Sequence, residues 1–494
     1  MKFLEKSIQK VSKNKFYLLS CLAGLFLGIV SVYYTNIAKL HCSGIAILIL
    51  VLITLFPLFR KIRTRNLNLF EPLTLVCIGI LIYFILPAID LIFLGKLIDP
   101  SINLSHYKAL TAQDDYFLAT IISLCALGVI SFYFGYVSAL GKKIGGSLPV
   151  PGHLYSKNPL LKIGIFYILL GIIILGYTMW KVGDPAKWFI TPKGENIFLV
   201  ARSIYGAFLL KIFIPAIIIL FMYALLRRSK FIFLLWIGMF IAVVIFFNIF
   251  SQGSRRITLF LVLSLIIYYH YVVRPIRLKK IMFIIAILFF FNFSVGIIRS
   301  TIHLYSVEVT KTHWTKFMSS YAGCWHNPVI MTMDFPYCYD SLMQTIQYVP
   351  KDVGYLWGGT YAKFFLWPIP RSLWAEKPEN ISRVVVRHFY PEIYEKGVSM
   401  SPTIVGEAYF NFGIAGIIFV MILFGVICQT FYTFLKKNRK NIGAIAVYAS
   451  IAPYILESFR GYFFECTMIY LFIGLSIFLA FYFARRLSKR NLLN

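Results

Sequence analysis

GGTYAKFFLWPIPRSLWAEKPENISRVVVRHFYPEIYEKGVSMSPTIVGEAYFNFGIAG, residues 358 to 416, is a stretch that cannot sit in lipid. It places Arg371, Lys377, Arg383, Arg387, His388, Glu392, Glu395 and Glu407 between two hydrophobic blocks. Near its end, Ser401-Pro402 is a helix-start signal. A serine oxygen accepts from the orphan N–H groups of a first turn, and proline is tolerated there. In a helix that follows, Thr403, Glu407 and Asn411 fall at i, i+4 and i+8. They form one polar stripe on a helix that then turns wholly apolar. An ionisable residue at the mouth of a membrane helix marks a functional site by default.

Outward from this stretch the chain is apolar. Its 494 residues are 59% hydrophobic, 18% aromatic and 14% charged. Runs of about 18 or more apolar residues recur, each long enough to cross roughly 30 Å of hydrocarbon. The expected fold is all-α: a polytopic helical membrane protein with about twelve transmembrane helices. An outer-membrane barrel is excluded, because barrels show short alternating segments. Nine spans are expected within residues 1–298, near 16–35, 44–59, 72–95, 114–138, 161–181, 204–226, 231–250, 257–273 and 281–298. A large extracytoplasmic loop follows over 299–400. Residues 401–494 hold three more spans, ending near Leu435, at 442–459 and at 463–484. The first run lacks a cleavage site and reads as an uncleaved anchor.

The net charge of +30 does not point to nucleic acid. The basic residues cluster in alternate gaps: RKIRTR at 60–65, Lys142-Lys143, RRSK at 227–230, RPIRLKK at 274–280, KKNRK at 436–440 and ARRLSKR at 484–490. That is the positive-inside pattern, and it puts both termini in the cytoplasm. The same clusters attract anionic lipid head groups. No internal repeat is evident, which weighs against a transporter built from inverted halves.

The eight cysteines have no C-x-x-C spacing. Cys21, Cys42, Cys77, Cys125 and Cys428 read as packing residues, while Cys324 and Cys338 leave a disulfide open. Asp114-Asp115 admits two readings, a carboxylate pair for a divalent cation or acids favoured at a helix N-terminus. His303, His313, His326 and His388 lack ligand spacing, and no metal site is expected. The outward basic residues are more informative. Arg202, Arg255, Arg256, Arg299 and Arg460 lie at expected outer ends of spans, where the positive-inside rule gives no reason for them. Arg371 and Lys377 join them from the loop. Arginine's planar fork suits phosphate oxygens, so the set fits a diphosphate at head-group depth. The loop's many tryptophans and tyrosines, Trp374 and Tyr409 among them, suit an interfacial belt or the apolar faces of sugar rings.

GGTY, IPRSLWAEKP and SPTIVGEAYFNFGIAG, with GSRR at 253–256, together resemble the bacterial oligosaccharide repeat-unit polymerases of the O-antigen polymerase or Wzy type. The sharp motifs lie in residues 251–256 and 358–416. The resemblance implies a multi-pass glycosyltransferase of the bacterial plasma (inner) membrane, working in surface polysaccharide biosynthesis. Such enzymes join undecaprenyl-diphosphate-linked oligosaccharide units by block transfer at the outer face. They need no cofactor and are expected to work without a metal. Their partners are the lipid-linked glycan, membrane lipid, a flippase and a chain-length regulator. In that chemistry an attacking hydroxyl needs a base. Glu407 is the first candidate and His388 the second. Arg371 is expected at the reaction centre. With Arg255, Arg256, Arg299, Lys377 and Arg460 it would meet the charge of the leaving diphosphate. Thr403, Asn411, Tyr409 and Trp374 would contact sugar. Two alternatives share parts of this pattern: an O-antigen ligase-type transferase, and a lipid-linked oligosaccharide flippase or exporter.

Overall fold

The computed structural model describes residues 42–64, 67–93, 115–152, 158–182, 210–250, 255–277, 335–366, 378–395, 399–461 and 463–493, with short pieces at 279–287 and positions 369 and 374. Among them are helices and turns and no strand. In chain order the helices are α1 (Cys42–Arg63), α2 (Pro72–Ile80), α3 (Leu86–Phe93), α4 (Asp115–Val137), α5 (Ala139–Ser147), α6 (Asn158–Val182), α7 (Phe213–Arg227), α8 (Lys230–Phe250) and α9 (Arg255–Val272). After them come α10 (Phe335–Tyr348), α11 (Gly359–Leu366), α12 (Ile381–Phe389), α13 (Pro391–Tyr394), α14 (Thr403–Lys437), α15 (Ile442–Ile451), α16 (Tyr454–Arg460) and α17 (Phe463–Leu493).

Eight segments are long and apolar enough to cross a membrane: Cys42–Arg63, Pro72–Ile92, Asp115–Val137, Asn158–Trp180, Leu210–Arg227, Thr403–Lys437, Ile442–Arg460 and Thr467–Ser488. Lys230–Ile245 and Ile257–Val272 are shorter apolar helices. The chain is thus a polytopic helical membrane protein. The count of twelve goes beyond what these residues support. The first expected span lies outside the described residues, as does most of the ninth. Two expected spans are also less regular than their apolar runs suggest. A π turn at Leu81–Ile85 joins α2 to α3, and Pro453 separates α15 from α16.

The broadest packing joins α14 to α4, and α14 also packs on α5. In lipid, helices gain nothing from burying apolar area against each other, so close backbone approach has to supply the attraction. Glycine permits it here. A β-carbon at Gly135 would overlap the Ile422 carbonyl, and one at Gly425 would overlap that of Phe132.

The expected loop 299–400 is far from unstructured where it is described. It carries α10 to α13, of which α10, α12 and α13 pack around a second apolar core of Val349, Ile381, Val384, Val385, Phe389, Tyr390 and Phe410. Helix α12 forms because the Asn380 side chain accepts from the Arg383 N–H (3.1 Å) and the apolar positions repeat on one face. Cys338 is buried in α10, and Cys324 lies outside the described residues.

The helix directions give the bundle two unlike ends. Asp115, opening α4, accepts from the N–H groups of Cys42 and Ser43 at the start of α1, so α1 and α4 run parallel. At their far ends Lys61 stands over the Tyr432 ring (5.7 Å) and Gly146 abuts Lys437. Asn441 donates to the Pro151 carbonyl (2.6 Å), and Gly152 abuts Arg485. Arg439 acts on Tyr271 near the end of α9. Helices α6 and α7 are antiparallel, with Gly164 at Leu220 and Gly171 at Phe213, which returns Arg227 to the same end. Six basic clusters therefore gather at one end. The residues Thr403 to Asn411 lie at the other. Between them Ile414 to Lys437 alone would be roughly 36 Å long at 1.5 Å per residue, enough to cross the hydrocarbon core.

Candidate functional site

Helix α14 is not one straight rod. Phe412 (φ −143°, ψ 16°) and Gly413 (φ 63°, ψ −147°) interrupt it. Residues 403–411 therefore form a short helical stub, and 414–437 form the long span. A break inside apolar surroundings frees carbonyls that must find donors. The residues before α11 supply them: Leu356 N–H donates to the Phe410 carbonyl (3.0 Å) and Trp357 N–H to that of Asn411 (3.2 Å). The approach is close enough that a β-carbon at Gly358 would meet the Phe412 ring (2.9 Å). Gly358 also has φ 83°, which glycine adopts at no steric cost. This accounts for the first glycine of GGTY.

The stub carries the expected polar stripe, and all of it faces inward. Thr403, Glu407 and Asn411 are buried, and Glu407 is only 2% exposed. Its two oxygens are held by two different elements. Thr360 Oγ1, in α11, donates to Oε1 (3.1 Å), and the Phe463 N–H at the start of α17 donates to Oε2 (3.0 Å). Asn411 Nδ2 donates to Thr360 Oγ1 (2.8 Å) and to the Glu407 carbonyl (2.8 Å). Burial, and next the charge of Glu407, push the Tyr361 phenol well above its ordinary pKa. Tyr361 stays protonated beside the carboxylate. The sequence motif pointed to Glu407 but not to Thr360, Tyr361 or the Phe463 N–H. Thr360 stands in the quoted GGTY, and that proximity to the motif was its only signal.

Arg460 closes α16 in the same corner and is buried there with Glu457. The next residue, Gly461, has φ 107° and lies against Ser401 and the Thr403 backbone. Thr403 itself has φ 65°, rare for a β-branched residue and a mark of local strain at the stub's first position. Its hydroxyl accepts from the Gly406 N–H (3.3 Å).

The other expected site residues are placed less closely. Arg255 and Arg256 open α9, whose far end is the basic end of the bundle, so their backbone lies at the same end as Arg460. Their side chains lie outside the described residues, as do Arg299, Arg371 and Lys377 in full. Tyr409 is half-buried between the two apolar cores, and Trp374 is exposed. His388 sits on the exposed face of α12 beside Arg387, which pairs with Glu379 (3.1 Å). Phe389, the next residue, turns inward onto Phe410, while the imidazole stays on the exposed side of α12. Partial burial and then the Arg387 charge hold His388 below the usual histidine pKa, against the pull of Glu379. Asp115 serves α1 as described, which is the helix-terminus role, and Asp114 lies outside the described residues. Among the described residues no three His, Cys, Asp or Glu side chains gather as a metal site.

Residues 363–458 match a family model described as "Putative O-antigen polymerase". The matched segment holds Glu407, Asn411 and the helix break. It bears out the resemblance read from the motifs over that part of the chain. Neither the curated proteins nor the solved structures contain a match.

Proposed function

We propose that this chain is a membrane glycosyltransferase of the O-antigen polymerase kind. It joins undecaprenyl-diphosphate-linked oligosaccharide units by block transfer at the outer face of the bacterial plasma (inner) membrane. One observation carries the reading: Glu407 is buried and doubly hydrogen-bonded at the end of the bundle opposite the six basic clusters, inside the segment similar to that family. On the positive-inside rule the basic end is cytoplasmic, and the Glu407 end faces out.

In this reaction the acceptor hydroxyl attacks the anomeric carbon of the growing chain. A new C–O bond forms, the bond to the lipid diphosphate breaks with its electrons, and the hydroxyl proton passes to a base. Glu407 is that base. A carboxylate has about four acceptor sites, and Thr360 and Phe463 occupy one on each oxygen. Because the group is buried, the acceptor reaches it through a local opening of this corner. Arg460, with Arg255 and Arg256 from the first turn of α9, meets the diphosphate charge. Arg299, Arg371 and Lys377 complete the basic set, and Trp374 and Tyr409 face sugar. The donor is already lipid-linked, so no nucleotide-sugar domain is needed. A flippase would deliver the units and a chain-length regulator would end the chain.

The test is Glu407→Gln, which keeps shape and most hydrogen bonds but cannot take the proton. The variant should reach the membrane, bind lipid-linked donor and lose about 10²–10⁴-fold in polymerisation rate. Near-normal polymer from a stable variant would overturn the assignment.

A further inference from the structure

Thr360 lies three residues before the segment similar to the polymerase family and carries no expected role. Its hydroxyl nevertheless sits at the centre of the Glu407 corner. The direction of each bond there is fixed by chemistry. Asn411 Nδ2 lies 2.8 Å from the Glu407 carbonyl, which can only accept, so the amide nitrogen must face it. The same nitrogen lies 2.8 Å from Thr360 Oγ1 and donates its second hydrogen there. The Thr360 proton then has one direction left, toward Glu407 Oε1 at 3.1 Å. Flipping the amide would set its oxygen against the Glu407 carbonyl oxygen, two acceptors in contact. The order Asn411 to Thr360 to Glu407 is thus the arrangement in which every side-chain donor of the trio meets an acceptor.

The chain around Thr360 is anchored independently of this bond. The N–H groups of Leu356 and Trp357 are fixed on the stub's last carbonyls, and Gly358 brings the backbone onto Phe412. The hydroxyl is therefore held at a set position relative to the stub by backbone contacts. A carboxylate with free rotation about its terminal bonds gains a fixed orientation from such a donor.

We propose that Thr360 is a positioning residue for Glu407, oriented by Asn411, and that its hydroxyl sets the carboxylate for proton transfer. The inference rests on the reading of Glu407 as the base. It implies that the catalytic corner extends upstream into α11, beyond the similar segment.

The experiment uses the full-length purified protein. The probe is lipid-linked oligosaccharide extracted from cells that lack this chain, and rates are measured over a range of its concentration. Thr360→Val keeps the shape and removes the donor. It should lower kcat by about 10–100-fold with KM within about twofold, as expected for a lost charge-assisted hydrogen bond at the reacting group. Thr360→Ser, which keeps the hydroxyl, should restore most of the rate. Glu407→Gln runs beside them. An active Glu407→Gln would remove the base assignment and this proposal with it. An inactive Glu407→Gln beside a Thr360→Val with kcat within twofold of the parent would overturn the positioning role alone. So would a Thr360→Ser as slow as Thr360→Val, since the hydroxyl would then not be what matters. Should the valine variant fail to purify as a monodisperse protein, Thr360→Ala takes its place under the same criteria.

Discussion

A carboxylate in an apolar bundle is held only as well as its donors hold it. Glu407 draws one donor from a hydroxyl 47 residues upstream and another from a backbone N–H 56 residues downstream. Glu407→Ala leaves both donors buried and unsatisfied. It should destabilise the protein by about 2–4 kcal/mol, from about 1–2 kcal/mol for each stranded donor. Glu407→Gln should cost about 1–2 kcal/mol, since its single amide oxygen can accept from only one of the two donors. Thermal unfolding in detergent separates the two. His388 has a different prospect. Its folded pKa lies below the ordinary value near 6.5, because of partial burial and Arg387. On acidification the unfolded chain takes this proton first, so stability falls as pH drops from about 6.5 through the folded pKa. Arg387→Gln should bring the folded pKa closer to the ordinary value and flatten that dependence, measurable by unfolding at pH 5 to 7. A steeper dependence in the variant would contradict the cause given. At pH 7 His388 is neutral and lies on the exposed side of α12, so His388→Gln should retain far more polymerisation than Glu407→Gln. At this scale the polar stripe was legible in the sequence, because i, i+4 and i+8 spacing needs only a helix. Thr360 was not, because its place depends on a tertiary contact that no local spacing encodes.

The element that organises the corner is a helix that stops and restarts. Asn411-Phe412-Gly413 lies at the start of a long apolar run, and one glycine in such a run is no signal of a break by itself. What makes the break is the set of donors waiting at Leu356 and Trp357, together with a φ and ψ at Gly413 that side chains avoid. Gly413→Ala should therefore cost about 1–3 kcal/mol. Its β-carbon would also stand 2.8 Å from the Tyr355 hydroxyl. The expected outcome is a lower unfolding temperature together with slower polymerisation, since the stub carries Glu407. An alanine variant equal to the parent in both would mean that the break is dispensable. The α4–α14 crossing is a second test at this scale. Gly425→Val would drive a side chain into the Phe132 carbonyl, and the helices would have to separate. Loss of folded protein from the membrane is expected, whereas Gly238→Val, at a position open around its α-carbon, should accumulate normally.

Across the whole molecule, the alternation of basic gaps was the most legible feature of the sequence. It is also the one that the packing reproduces most fully. Charges separated by hundreds of residues gather at one end because successive helices reverse direction, so alternate gaps necessarily return to the same end. The proposed meeting of Arg255, Arg371 and Arg460 at one diphosphate is a different matter. It depends on how turns from distant helices pack, and only Arg460 is described here with its side chain, in the Glu407 corner. The two-ended bundle makes a prediction about orientation. Lys351 follows α10, which packs on the stub through Leu342 and Gly406, and so belongs to the Glu407 end. Lys437 closes α14 beside Gly146 and belongs to the basic end. Between these ends the bundle is long enough to span a bilayer, so the two positions should lie on opposite sides of the membrane. In a background with the native cysteines replaced, a membrane-impermeant thiol reagent added to intact cells should label Lys351→Cys and leave Lys437→Cys unlabelled until the cells are opened. Labelling of Lys437→Cys alone would invert the orientation and put Glu407 in the cytoplasm, away from lipid-linked units that have already been flipped. Labelling of both from outside would mean that the long half of α14 does not cross the membrane, and the two-ended arrangement would fail with it.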